Sequence, residues 1–178
     1  LAGRHAGLRS PHSPGAAGEI VGLRLVVRDA RDDSTLRPMP RLQHSYASLV
    51  AGLHTDIGDF LGLDAAALSA RMAAARDERN RRWIEADPRT EEERDRLYAA
   101  LGELDLLKYA EWHVKDEAKH RLHDQAVELA LRLGADVLDC GGGIGDTTLA
   151  FAANGVPVTY VDFPGVCSEF ARTRWERF

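Results

Sequence analysis

The sequence predicts a mixed α/β chain in which a helical N-terminal region precedes the first two strands of a parallel sheet. Three observations carry this expectation. Apolar residues recur at helical spacing from about residue 42 to residue 133. A short apolar stretch, Val137-Leu138-Asp139, then runs into Cys140-Gly141-Gly142-Gly143-Ile144-Gly145. A second stretch, Val156-Pro157-Val158-Thr159-Tyr160-Val161, ends on another acid, Asp162. Strand, glycine turn, helix and a second strand closed by an acid make up the nucleotide-binding half of an α/β sheet.

Along the chain, residues 1–18 are rich in Gly, Pro, Ser and His and read as disordered. Glu19 to Arg28 carries a strand-like apolar run with no evident partner, and Arg31 to Pro40 reads as a linker broken by Pro38 and Pro40. The first methionine is Met39, so one reading starts translation there and treats residues 1–38 as upstream of the true start. Residues 1–41 thus form a disordered or linking segment, 42–133 a helical cap and 134–178 the start of the sheet domain.

Within the cap, Leu49, Leu53, Ile57 and Phe60 share one helical face. Asp64 introduces an alanine-rich helix over Ala65 to Arg79, with Leu68, Met72 and Ala75 on one side and a solvated charged run from Arg76 to Arg82. Asp87-Pro88 breaks it. Thr90 and Glu93 spell a capping box for a helix bearing Leu97, Leu101, Leu104 and Lys108. A final helix from Val114 to Leu133 aligns Ala118, Leu122, Ala126, Leu129 and Leu133, and Gly134 ends it. Tyr109, Trp112 and His113 precede that helix. Tyr109 and Trp112 read chiefly as helix-junction core, with an aromatic substrate wall as the other reading, and no catalytic role is assigned to His113.

The glycine spacing discriminates between cofactors. A dinucleotide turn reads G-x-G-x-x-G, because the third glycine lets the helix pack on the strand. Counted from Gly141, that position is Asp146, and counted from Gly142 the pattern fails at Ile144. What fits is D-x-G-x-G-x-G from Asp139 to Gly145. With its acid-plus-glycine loop and its acid after the second strand, the chain resembles the class I S-adenosylmethionine-dependent methyltransferases. The resemblance implies a Rossmann-like sheet and S-adenosylmethionine as cofactor. It places Asp139, Gly141, Gly142, Gly143 and Gly145 around the cofactor and Asp162 on the ribose hydroxyls. It sets Phe163 beside the adenine.

Elementary chemistry agrees. Glycines let a ligand lie directly on the backbone, and a carboxylate can accept two hydrogen bonds from a ribose diol. The 16 residues between Gly145 and Asp162 hold one short helix and one strand. S-adenosylmethionine has no pyrophosphate and bears a positive sulfonium, which Asp139 suits better than it suits a pyrophosphate. Pro164 can open the next helix, which is expected to run through Phe170, Arg172, Trp175 and Phe178, with Phe170 and Trp175 packing on the sheet. The resembling family has a seven-strand sheet. The chain is therefore expected to be an N-terminal part, inactive alone, whose acceptor and catalytic positions lie past residue 178.

The activity implied is methyl transfer by in-line attack on the sulfonium methyl, with no base assignable. Two other classes stay open: a nicotinamide-dependent oxidoreductase, disfavoured by Asp146, and a methyltransferase-like module that binds partners without catalysis. A plain βαβ unit whose glycines only shape a turn is the blandest alternative.

Composition narrows the partners. Residues 1–41 hold seven arginines and four acids; the whole chain carries −5, so residues 42–178 carry −8. That acidity is a poor match for a phosphate backbone and ranks small molecules or proteins above nucleic acid as substrate, with a small-molecule acceptor expected first. No 18-residue apolar run suggests a membrane span. Cys140 and Cys167 lack disulfide spacing, which favours free thiols and a cytoplasmic location, and Cys140 is expected to be a small buried apolar residue. Glu117-Ala118-Lys119-His120 is an E-x-x-H, but no second copy exists to complete a di-iron bundle. No metal is therefore expected, and His120 is expected to pair with Asp124 one turn on.

Overall fold

The computed structural model describes residues 41–178; the expected strand over 19–28 and linker over 31–40 lie outside them. Among the described residues the chain is mostly helical, with one parallel sheet of two strands. The elements are α1 (Tyr46–Val50), α2 (Leu53–Leu61), α3 (Ala65–Ala86), α4 (Glu91–Lys115), α5 (Glu117–Leu133), β1 (Val137–Cys140), α6 (Asp146–Ala153), β2 (Val158–Val161) and α7 (Val166–Trp175). No described helix is long and apolar enough to cross a membrane.

Helix ends follow capping chemistry. Ser45 accepts from the Ser48 N–H to start α1 (3.2 Å), and Asp64 accepts from the Ala67 N–H to start α3 (2.8 Å). Leu49, Leu53 and Ile57 are buried together as expected, but a turn at Ala51-Gly52 divides their helix into α1 and α2. α3 runs a further seven residues past Arg79, until Asp87 turns left-handed (φ 36°) before Pro88. The Thr90 box forms in full: the Glu93 N–H donates to Thr90 Oγ1 (3.2 Å) and the Thr90 N–H donates to Glu93 Oε2 (3.0 Å). Gly134 closes α5 left-handed (φ 61°), its N–H reaching the Ala130 and Leu131 carbonyls.

The helix expected over Val114 to Leu133 is instead cut at Asp116. There α4 ends, and the Asp116 carboxylate accepts from the Lys119 N–H (3.1 Å) to begin α5. β1 and β2 pair in parallel from Val137↔Val158 to Cys140↔Val161, with α6 as the crossover. One apolar cluster joins the helices to the βαβ unit: Tyr46, Ile57, Leu106, Val127, Phe151 and Phe170 all belong to it.

Several expected faces are displaced. On α4 the buried apolar residues are Leu101, Leu106, Leu107 and Ala110, while Leu97, Leu104 and Lys108 are only half-buried. On α5 the expected stripe faces solvent at Leu122, Leu129 and Leu133, and Val127 and Ala130 are buried instead. The cause is the neighbours: α5 packs against α1 and α6, and nothing among the described residues covers the leucine side. Arg76 to Arg82 is largely exposed, except that Arg79 Nε donates to the buried Asp105 (2.8 Å). α7 stops at Trp175, leaving Phe178 exposed, while Phe170 is buried. Cys140 is exposed rather than buried, because β1 turns Leu138 and Cys140 outward and Val137 and Asp139 inward. Leu106→Ala is expected to cost about 2–5 kcal/mol and Leu129→Ala less than about 0.5 kcal/mol. Urea midpoints for the pair check which side of the helical region is core.

Candidate functional site at the glycine loop

The loop between β1 and α6 lies at the carboxyl ends of both strands, where open α/β sheets bind ligands. The Gly141 N–H donates to the Val161 carbonyl (2.7 Å), and the Gly145 N–H donates to the Gly142 carbonyl (2.9 Å). Asp162 closes the arrangement. One of its oxygens accepts from the Gly143 N–H and the other from the Phe163 N–H (2.6 Å). The Tyr160 hydroxyl donates to the Gly143 carbonyl (2.7 Å), and its ring meets Trp175 edge-on at 4.7 Å. Burial and the nearby Asp162 charge push the Tyr160 hydroxyl above its ordinary range, so it stays a donor.

Gly141, Gly142, Gly143 and Gly145 therefore share the loop, with Asp139 at the end of β1 and Asp162 after β2 beside it. Phe163 is adjacent, but its ring is 70 % exposed. Asp139 is committed on one oxygen, which accepts from Thr148 Oγ1 (2.6 Å), and burial raises its carboxyl. The glycines serve two purposes. Gly143 has φ 56° with open space where a Cβ would stand, so the backbone itself is the exposed surface. Gly145 has φ 75°, and a Cβ there would lie 2.7 Å from Ala171 Cβ and from the Trp175 ring. It is glycine because α7 packs on it.

A buried polar network behind the loop was not foreseen. Asp146, the residue after Gly145, is buried and pairs with the equally buried Arg174 of α7. Arg174 also donates to the Leu49 carbonyl (3.0 Å) and to Asp56 (3.1 Å). The second Asp146 oxygen faces His113 Nδ1 at 3.2 Å, off the angle of a hydrogen bond. His113 Nδ1 bonds the Tyr46 hydroxyl, and its Nε2 stands 3.1 Å from Lys119 Nζ. A charged ammonium can only donate, which assigns the His113 proton to Nδ1. The sequence signal was Asp146 itself, read only as a break in a glycine pattern.

The neighbouring residues also depart from expectation. Trp112 is 51 % exposed rather than core. His120 and Asp124 do not pair: His120 Nε2 bonds the His113 carbonyl (2.6 Å), and Asp124 accepts from the Tyr46 N–H (2.6 Å). No group of acids, histidines and cysteines positioned to hold a metal ion occurs among the described residues. Both cysteines are free, and burial lifts the Cys167 thiol to about 12. A cleft of about 540 Å³ opens between α2, α3 and α4, lined by His54, Leu68, Met72 and Glu111, and shares no residue with the loop. No family model matches the chain, and neither does any curated protein or solved structure.

Two expectations follow. Arg174→Met leaves a buried carboxylate without its partner and should destabilise the chain by about 3–5 kcal/mol in urea unfolding. The histidines give an acid limb. Burial holds His113 down to about 3 and His123 down to about 4, against an ordinary 6.5. Below pH 6.5 the unfolded chain takes up protons that the folded one refuses, so this stability is full above 6.5 and is lost as pH falls towards 4. Asp146, raised to about 6 by burial, acts oppositely, because its contribution is lost as pH rises through 6. The two histidines outweigh the opposing carboxyls of Asp146 and Asp139, so the unfolding free energy should drop by about 1–2 kcal/mol from pH 7 to pH 5. A flat profile would mean that the rings titrate freely in the fold.

Proposed function

We propose that the chain binds S-adenosylmethionine on the glycine loop as part of a Rossmann-like class I methyltransferase. The observation that carries this reading is Gly143, whose N–H is held by Asp162 and whose carbonyl is held by the Tyr160 hydroxyl. That pair ties the loop to the acid after β2, the two parts that would hold the methionine and ribose ends of one ligand. Open space above Gly143 leaves room for a ligand to lie on the backbone. Phe163, exposed beside Asp162, is available to stack on an adenine.

Asp146 supports this cofactor over a dinucleotide. It stands where a dinucleotide turn places its third glycine, and its side chain is turned inward onto Arg174. In the reaction, the acceptor's lone pair attacks the methyl carbon as the carbon–sulfur bond breaks, leaving S-adenosylhomocysteine. Positioning supplies much of the rate. The acidic balance of residues 42–178 supports a small-molecule acceptor, and the free thiols support a cytoplasmic location.

Calorimetric titration of S-adenosylhomocysteine, with NAD as control, is the direct test. Micromolar binding of the first alone is expected, and Asp162→Ala should weaken it at least tenfold, since charge-assisted hydrogen bonds contribute about 1.5–3 kcal/mol. Binding of NAD alone would replace the reading with a nicotinamide one. Unchanged affinity in Asp162→Ala would remove that residue from the ribose.

A further inference from the structure

Lys119 is half-buried on α5 and has an unusual set of partners. Its Nζ stands 3.1 Å from His113 Nε2 and 3.6 Å from the centre of the Trp112 indole. Among the described residues no carboxylate pairs with it. The acids near it are otherwise engaged. Asp116 accepts from the Lys119 backbone N–H, and Asp146 is held by Arg174. Burial pulls the ammonium below its ordinary range. The charges of Asp146 and Asp116 favour the ammonium from a distance, but its direct partners are a neutral ring nitrogen and an indole, so it keeps N–H capacity that no carboxylate takes up.

Its position gives this meaning. His113 bridges Lys119 to Asp146, the residue next to Gly145. One turn along α5, His123 Nδ1 lies 3.5 Å from Thr147 Oγ1 in the first turn of α6. Lys119 and His123 thus share one face of α5, and that face meets the first turn of α6 directly after the glycine loop. Trp112 adds a half-exposed aromatic plane, and the neutral histidines add donors and acceptors without further charge.

We infer that Lys119 and Trp112 form the acceptor site, and that the acceptor is a planar aromatic compound bearing a carboxylate. The carboxylate takes the N–H groups of Lys119 that no protein acid occupies, and the ring lies against the exposed part of the indole that Lys119 does not cover. Calling the ligand an acceptor rests on the methyltransferase reading; the anion site itself does not.

The test uses fluorine NMR on the whole chain, with 4-fluorobenzoate as probe and 4-fluorobenzamide as its neutral counterpart. Saturable broadening of the benzoate alone is expected. Lys119→Met should weaken it about tenfold, Lys119→Arg should keep it, and Trp112→Ala should weaken it about threefold. Equal binding of the two probes, or full binding to Lys119→Met, would overturn the inference. If Lys119→Met fails the circular dichroism check, Trp112→Ala decides, because that side chain is half-exposed and lies outside the core. S-adenosylhomocysteine binding, measured separately, keeps the two readings apart. Its failure alongside Lys119-dependent capture of benzoate sinks the methyltransferase reading and spares the anion site. Its success without discrimination between the probes sinks the acceptor site alone.

Discussion

The ion pair between Asp146 and Arg174 is the constraint on which the rest of the arrangement depends. Asp146 opens α6 directly after the glycine loop, and Arg174 lies in α7 after the second strand. By also bonding the Leu49 carbonyl and Asp56, Arg174 pins α1 and α2 to the same point. Two charges removed from water are costly unless geometry and extra hydrogen bonds offset the loss. Here one guanidinium satisfies three partners from three elements. The helical region and the βαβ unit are therefore fixed relative to one another by direction as well as by apolar contact.

Around that point, polar groups are layered by access to water. Deepest is the carboxylate with its guanidinium. Next comes His113, neutral and proton-bearing on the nitrogen that faces Tyr46 and Asp146. Outermost are Lys119 and Trp112. Each layer sets the protonation of the next, since a neutral His113 is what allows Lys119 to donate to it. The loop is held in its own way by Asp162 and Tyr160 on opposite sides of one peptide.

Local chemistry was legible in the sequence, and neighbours were not. The capping box at Thr90, the stop at Gly134, the break at Asp87-Pro88 and the glycine loop each depend on a few adjacent residues, and each stands where expected. The face that α5 buries depends on where α1 and α6 lie, which periodicity cannot tell, so Val127 and Ala130 are inside and the leucine stripe is outside. Cys140 was misjudged for a related reason, because its strand has one side without cover among the described residues. Arg174 was hidden most deeply. Nothing in a basic residue near the end of a helix announces that it spans to positions 49, 56 and 146.

The α3–α4 hairpin is built unevenly along its length. Ala75 and Leu101 are the outermost buried residues on its two arms, and beyond them the contacts are Trp83 against Tyr98 and exposed ion pairs such as Arg81 with Glu85. Exposed pairs contribute little and are screened by salt. The tip therefore has a lower opening free energy than the base, and its amide protons exchange with solvent by local fraying rather than by global unfolding. α4 is one uninterrupted helix of 25 residues, on the order of 37 Å at the usual rise, from that loose tip to the turn carrying His113. It joins the softest part of the molecule to its stiffest as a single rigid rod.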